Sequence, residues 1–236
     1  VSVPAIGLLR APEYGRRTQV RGLAVDDEAG KFAAVHGFLL GALQSRGSAV
    51  ISIGQRSLPQ RPGMIPAMWQ YRGQQRPPYA VEPGPGQESV WDYPRPPELR
   101  PDSRRVEVLA GGRLIADSTR TVRVCETASP PTFYIPPGDL QWSALITVEG
   151  QTFCEWKGSA VYWALAADPG TPVAWAYPKP KRAFRALRDY LCFYPGRVEC
   201  RVDGVRVQAQ DGGFYGGWIT PEIVGPFKGD PGTGGW

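Results

Sequence analysis

The chain has 236 residues, 42% hydrophobic and 21% charged, with 29 glycines, 25 prolines and a formal net charge of +5. That length suits one medium domain with a large appendage or two small domains, and the Gly and Pro excess argues for turns and short strands over long helices. No apolar run reaches the roughly eighteen residues a helical membrane span needs, and the start shows no basic stretch followed by an apolar one, so a cytoplasmic protein with no membrane partner is expected.

Residues 1–23 show no sustained periodicity. Asp26 or Asp27 can cap a helix, and Phe32, Val35, Phe38, Leu39, Ala42 and Leu43 recur at helical spacing, which predicts one helix near 26–45 ending at Gly47. Residues 54–88 are rich in Arg, Gln, Pro and Gly and read as loop or linker. Residues 1–84 are therefore expected to be an N-terminal extension, with one possible helix and otherwise loop or disorder, or an upstream stretch ahead of a later start at Met64 or Met68. The charge divides along the same line. Residues 1–80 hold 10 Lys+Arg against 4 Asp+Glu and the rest hold 17 against 18, so +6 and −1 make up the +5. A net positive charge confined to the front argues against nucleic acid as a partner of the remainder, because phosphate neutralisation needs clustered positive charge.

From Glu88 the pattern turns β. Arg104–Ala110 alternates with Val106 and Val108 on one face, Gly111-Gly112 is a turn signal, and Arg113–Asp117 returns. Thr121–Glu126 alternates with Val122 and Val124 inward. Gln141–Val148, Ser159–Ala166 and Pro172–Tyr177 follow as strands. Pro180 opens a short helix over Lys181–Tyr190 with Ala183, Phe184 and Leu187 as its buried stripe. Cys192–Tyr194, Arg197–Val202 and Val205–Gln208 complete the set, the last two joined by an Asp203-Gly204 turn. The pattern predicts a mainly β domain over 85–210, with antiparallel sheets forming a small barrel or tent-like arrangement and one short helix. The tail, 211–236, carries Phe214, Tyr215, Trp218, Phe227 and Trp236 among glycines and is expected to pack on that domain.

The chemistry is constrained by what is missing. Cys125, Cys154, Cys192 and Cys200 form no C-x-x-C and have no neighbouring histidine, so no metal and no cofactor is expected. Reduced thiols are the default, with a Cys192–Cys200 disulfide as the lesser alternative. His36 is the only histidine and lies in the front segment, so Ser-His-Asp and Cys-His relays are excluded from the remainder. The run Phe153-Cys154-Glu155-Trp156-Lys157-Gly158, read as a strand, puts Cys154 and Trp156 on one face and Lys157 with Phe153 and Glu155 on the other, making Cys154 a buried inert thiol. Lys157 can hold an anionic or carbonyl-bearing ligand, or its stem can cover a surface ring. Glu126 continues the inward face of its strand and needs a partner, and Lys157 is the one expected. Val173, Trp175 and Tyr177 share a face, while Trp163 opposes Tyr162. These rings are core, or they line a cleft for a planar or sugar-like ligand.

A family pattern runs through the same residues. Its blocks are Glu88-Ser89-Val90-Trp91-Asp92-Tyr93-Pro94, Ile115-Ala116-Asp117-Ser118, Glu126-Thr127 with Pro130-Pro131-Thr132-Phe133-Tyr134-Ile135-Pro136, Thr152 to Gly158, Tyr162-Trp163, Ala174 to Pro180 and Phe193-Tyr194-Pro195-Gly196, with a tail run Gly212 to Thr220. In these the chain resembles the bacterial domain-of-unknown-function 427 family, from about residue 85 to the end. The resemblance implies a compact β-rich, tent-like domain without a settled activity. A nucleotidyltransferase-like label attached to the family finds no Asp-x-Asp pair and no Gly-rich phosphate loop here. Where members often carry a histidine just before Pro-Pro-Thr, this chain has Ser129.

The expected ligand-binding residues are Glu126, Tyr134, Trp156, Lys157, Tyr162, Trp163, Trp175 and Tyr177. Three readings stay open: a module binding a small polar or planar molecule, a metal-independent enzyme using Lys157 and Glu126, and a structural or protein-interaction domain. Oligomeric state is not legible in the sequence.

Overall fold

The computed structural model describes residues 71–230 and residue 233. The helix expected near 26–45, His36, Met64, Met68 and Trp236 lie outside the described residues. Among the described residues, no helix is long and apolar enough to cross a membrane.

The strands are β1 (Glu88–Ser89), β2 (Glu98–Asp102), β3 (Val106–Ala110), β4 (Arg113–Ser118), β5 (Thr121–Glu126), β6 (Ser129–Ile135), β7 (Leu145–Cys154), β8 (Gly158–Leu165), β9 (Asp168–Ala176), β10 (Leu191–Phe193), β11 (Glu199–Val202), β12 (Val205–Arg206), β13 (Gln208–Ala209), β14 (Trp218–Ile219) and β15 (Ile223–Val224). Seven of them pair in the order β2-β5-β6-β10-β9-β8-β7 and four in the order β12-β11-β3-β4, antiparallel throughout. The pairs β13–β14 and β1–β15 are short, and the second is parallel. The two outer strands of the large sheet, β2 and β7, do not pair with each other. The domain is mainly β with antiparallel sheets, as expected, but no closed barrel forms.

Two features of the chain explain where local reading and structure part. Strand β6 sits inside the large sheet although it carries Pro130 and Pro131. Both stand at its start, where the register with β5 shifts between Val124 and Glu126, so a missing ladder N–H costs least there. The helix expected at Lys181–Tyr190 is a run of 3-10 turns, Arg182–Leu187, kinked at Phe184. Phe184 and Leu187 are buried and stand three residues apart, which suits a 3-10 period. Ala183, expected in the buried stripe, is exposed.

The large sheet has two buried faces. Directly opposed residues run across it as Tyr162, Trp175, Cys192, Tyr134 and Val122 in one row. Trp163, Ala174 and Phe193 form the next row, which faces the other way. The second face joins the main core, where Phe133, Ile135, Ala176, Leu191 and Phe193 meet Val106, Val108, Ile115, Cys200 and Val202 of the four-stranded sheet. Trp218 from the tail completes that core, stacked 5.0 Å from Phe133 and donating its indole N–H to the Phe193 carbonyl.

The face shared by Val173, Trp175 and Tyr177 in the sequence reading is broken by a bulge. Trp163 pairs with Ala174 and Ala164 with Pro172, so Val173 is the extra residue and turns into the main core, away from Trp175.

A third cluster joins Val90, Trp91, Tyr93, Cys125 and Ala128 to Ile223, with Tyr71, Ala80 and Phe227 packed against it. Arg76 grips Asp92 with two hydrogen bonds, so residues 71–87 lie against the domain without forming a strand before β1. The tail is tied down by charge as well. Arg104 holds Asp102 of β2 and also Glu222, and Arg123 of β5 spans Asp102 and Glu88.

Candidate functional site

The run Phe153 to Gly158 is not a continuous strand. Strand β7 ends at Cys154, Glu155-Trp156-Lys157 form a three-residue turn, and β8 begins at Gly158 with Cys154 and Gly158 paired across the hairpin. Gly158 has φ +102°, and a Cβ there would stand 3.4 Å from the Lys179 carbonyl, so the turn closes with the residue type least strained in that conformation. Strand alternation therefore does not separate Cys154 from Lys157. The turn folds over the aromatic face of the large sheet and is held by the Lys181 amide donating to the Lys157 carbonyl.

Under the turn lies a cavity of about 480 Å³. Its sheet side presents Val124, Tyr134, Ala160, Tyr162, Trp175 and Tyr177, and the tail adds Gln210, Phe214 to Gly217 and Lys228 to its walls. The rings are fixed by one another. Trp175 donates its indole N–H to the Tyr134 hydroxyl at 3.0 Å and packs 4.4 Å from the Tyr194 ring. The Thr152 and Tyr162 hydroxyls share a 2.7 Å hydrogen bond.

Of the eight expected ligand-binding residues, the cavity is lined by Glu126, Tyr134, Trp156, Lys157, Tyr162, Trp175 and Tyr177. Trp163 is not among its walls. It lies on the core face of β8 and packs 5.0 Å from Trp142, because adjacent strand residues point to opposite sides.

The expected pair of Glu126 with Lys157 does not form. Glu126 binds Arg95 instead, at 3.3 Å, with the glutamate side chain 26% exposed and the arginine 5%. Arg95 comes from the loop between β1 and β2 and also donates to the Thr127 carbonyl, so it reaches Glu126 where β5 ends. Lys157, 8% exposed, makes no ion pair to any described residue. Its ammonium stands 5.8 Å from the Tyr177 ring centroid and 6.0 Å from that of Phe184.

The remaining polar groups of the sheet side are neutral. Burial pushes the Tyr134 phenol well up, and burial with the nearby Cys154 and Cys192 thiols does the same for Tyr177. Tyr194 is raised by burial first and by Tyr162 second. Cys192, buried beside these rings, is raised by its own burial. All four cysteines are free thiols, so the Cys192–Cys200 alternative is not realised, and Cys154 is half-buried on the cavity wall. Among the described residues, no three His, Cys, Asp or Glu side chains gather as a metal site would require.

Sequence reading missed the tail side. Gln210 accepts from the Gly217 amide through its side-chain oxygen and donates through its nitrogen to the Lys228 carbonyl, stapling two limbs of the tail across the cavity wall. Gly216 lies against Trp175, and a Cβ there would stand 2.2 Å from the ring. The Gly-Gly-Phe-Tyr-Gly-Gly run carried a signal of close backbone approach. Gln210 and Lys228 carried none.

The fold and site define an antiparallel β domain with an aromatic cavity between its large sheet and its C-terminal tail. Residues 98–204 match the model of a domain of unknown function, DUF427. The match spans the whole large sheet and stops before Gln210 and Lys228. No curated protein matches the chain.

Proposed function

We propose that the domain binds a small anionic molecule in this cavity, with Lys157 as its anchor. The observation that supports this is the Lys157 side chain, largely buried with its ammonium among rings and given no carboxylate by the described residues. A buried charge without a counter-ion is costly, and contact with two aromatic rings offsets only part of that cost. An entering anion supplies the missing charge. The volume is within the range of small-molecule sites, the flat rings of Trp175, Tyr177 and Tyr194 suit a planar body, and the hydroxyls of Tyr162 and Thr152 offer polar contacts at its edge.

Native mass spectrometry of the protein purified from its own host, beside Lys157→Met, tests this reading. A small-molecule adduct on the unaltered protein that is lost in the variant is the expected result. Bare polypeptide in both spectra, with no adduct after incubation in millimolar benzoate, would overturn it.

A further inference from the structure

We infer that the ligand carries two separate anionic groups on a ring-bearing frame, one met by Lys157 and the other by Lys228. This rests on the cavity being a binding site and goes further in assigning the ligand's charge and the second anchor.

Lys228 lines the same cavity from the tail, with its ammonium 5.8 Å from the Tyr215 ring centroid and no ion pair to the described residues. Its position is held from both sides of the peptide. The Lys228 amide donates to the Ala128 carbonyl at 2.7 Å, and its carbonyl accepts from Gln210. A lysine whose backbone is pinned in this way differs from one on a mobile end, since less ordering remains to be done when an anion arrives.

The carboxylates on the wall do not answer these two cations. Glu126 is neutralised by Arg95, and Glu155 is exposed at the tip of the hairpin turn. The other polar groups there are hydroxyls, amides, indoles and a thiol. The cavity thus holds two ammonium groups that no described residue pairs with a carboxylate, from two segments far apart in the chain, and a flat aromatic surface on its sheet side. One anionic group satisfies one of them. A ligand with anions at two points of a planar body satisfies both and fills the apolar wall.

Benzoate and isophthalate, one and two carboxylates on the same ring, distinguish these cases. Each is titrated into the full chain and followed by tryptophan fluorescence and calorimetry, for the unaltered protein, Lys157→Met, Lys228→Met and Lys228→Arg, with urea midpoints confirming that each variant folds. Isophthalate should bind about tenfold more tightly than benzoate, as a second charge-assisted contact implies. Lys228→Met should bring isophthalate down to the affinity of benzoate, Lys228→Arg should restore the preference, and Lys157→Met should abolish binding of both. Equal affinities in the unaltered protein, or a preference that survives Lys228→Met, would overturn the two-anion inference while Lys157-dependent benzoate binding kept the single-anchor reading. Failure of both probes at millimolar concentration would overturn both.

Discussion

The two faces of the large sheet are buried by different means, and their composition follows from that. The core face is covered by another sheet, whose Val106, Val108, Cys200 and Val202 complement Phe133, Ile135, Leu191 and Phe193. Two sheets packed face to face leave little space, so the residues there are apolar and their polar atoms few. The other face is covered by a hairpin turn and a glycine-rich tail, which touch it at points and leave a cavity of about 480 Å³. The rings on that face carry hydroxyl and indole groups that bond one another, and the largely buried Lys157 side chain sits there too. The same alternation that makes a core on one side exposes recognition chemistry on the other. One face spends its area on stability, and the second holds groups that serve stability poorly.

Substitutions on each face should break this contrast in a definite order. Trp218→Ala removes the largest fully buried side chain, its stack on Phe133 and its hydrogen bond to Phe193, and should cost about 3–5 kcal/mol in urea unfolding. A loss below about 1 kcal/mol would mean that the core closes without the tail. Glu126→Ala leaves the nearly buried Arg95 guanidinium without its carboxylate and should cost about 2 kcal/mol, read as a shift in urea midpoint.

Acid should loosen the covering of the cavity before it unfolds the core. Burial works to raise the Asp102 carboxyl, but hydrogen bonds from Arg104 and the charges of Arg104 and Arg123 outweigh it and hold the group below its ordinary value. Arg120 lowers Asp139 in the same direction. A carboxyl lowered by folding contributes its full stabilisation above the unfolded pKa and loses it as pH falls through the folded one. The urea midpoint should therefore be flat from pH 7 to about 5 and fall below about 4. Asp102→Asn should lower the midpoint at pH 7 and flatten that fall. Limited proteolysis at low pH should cut the tail first, because Arg104 links Asp102 to Glu222.

The smallest effect carries the opposite sign. Lys157→Met removes a largely buried charge that has no ionic partner among the described residues and keeps most of the side-chain volume, so stability should stay within about 1 kcal/mol of the unaltered protein or rise. A marked destabilisation in the unfolding midpoint would place Lys157 with the residues that hold the fold.

Particular residues show how far local reading reaches. The hairpins at Gly111-Gly112 and Asp203-Gly204 were legible, since turn chemistry is set within two residues. The opposition of Tyr162 to Trp163 was legible because adjacent strand residues alternate, although both were expected on one site, and only the covering of each face decided which ring met the cavity. Strand β6 was not, because proline argues against a strand and the register shift that accommodates it belongs to the pairing with β5. Lys157 was wrongly oriented by alternation, because a three-residue turn with a left-handed glycine looks locally like more strand.

The order of residues along this chain determined an antiparallel, mainly β architecture, its hairpin turns and the aromatic composition of one sheet face, all through interactions between near neighbours. Tertiary structure alone decided that Arg95 takes Glu126, that Val173 turns into the core, and that Gln210 staples the tail so that Lys228 faces the cavity holding Lys157. Those outcomes depend on which distant segments compete for the same carboxylate, face or amide, and competition of that kind leaves no periodic trace in the sequence.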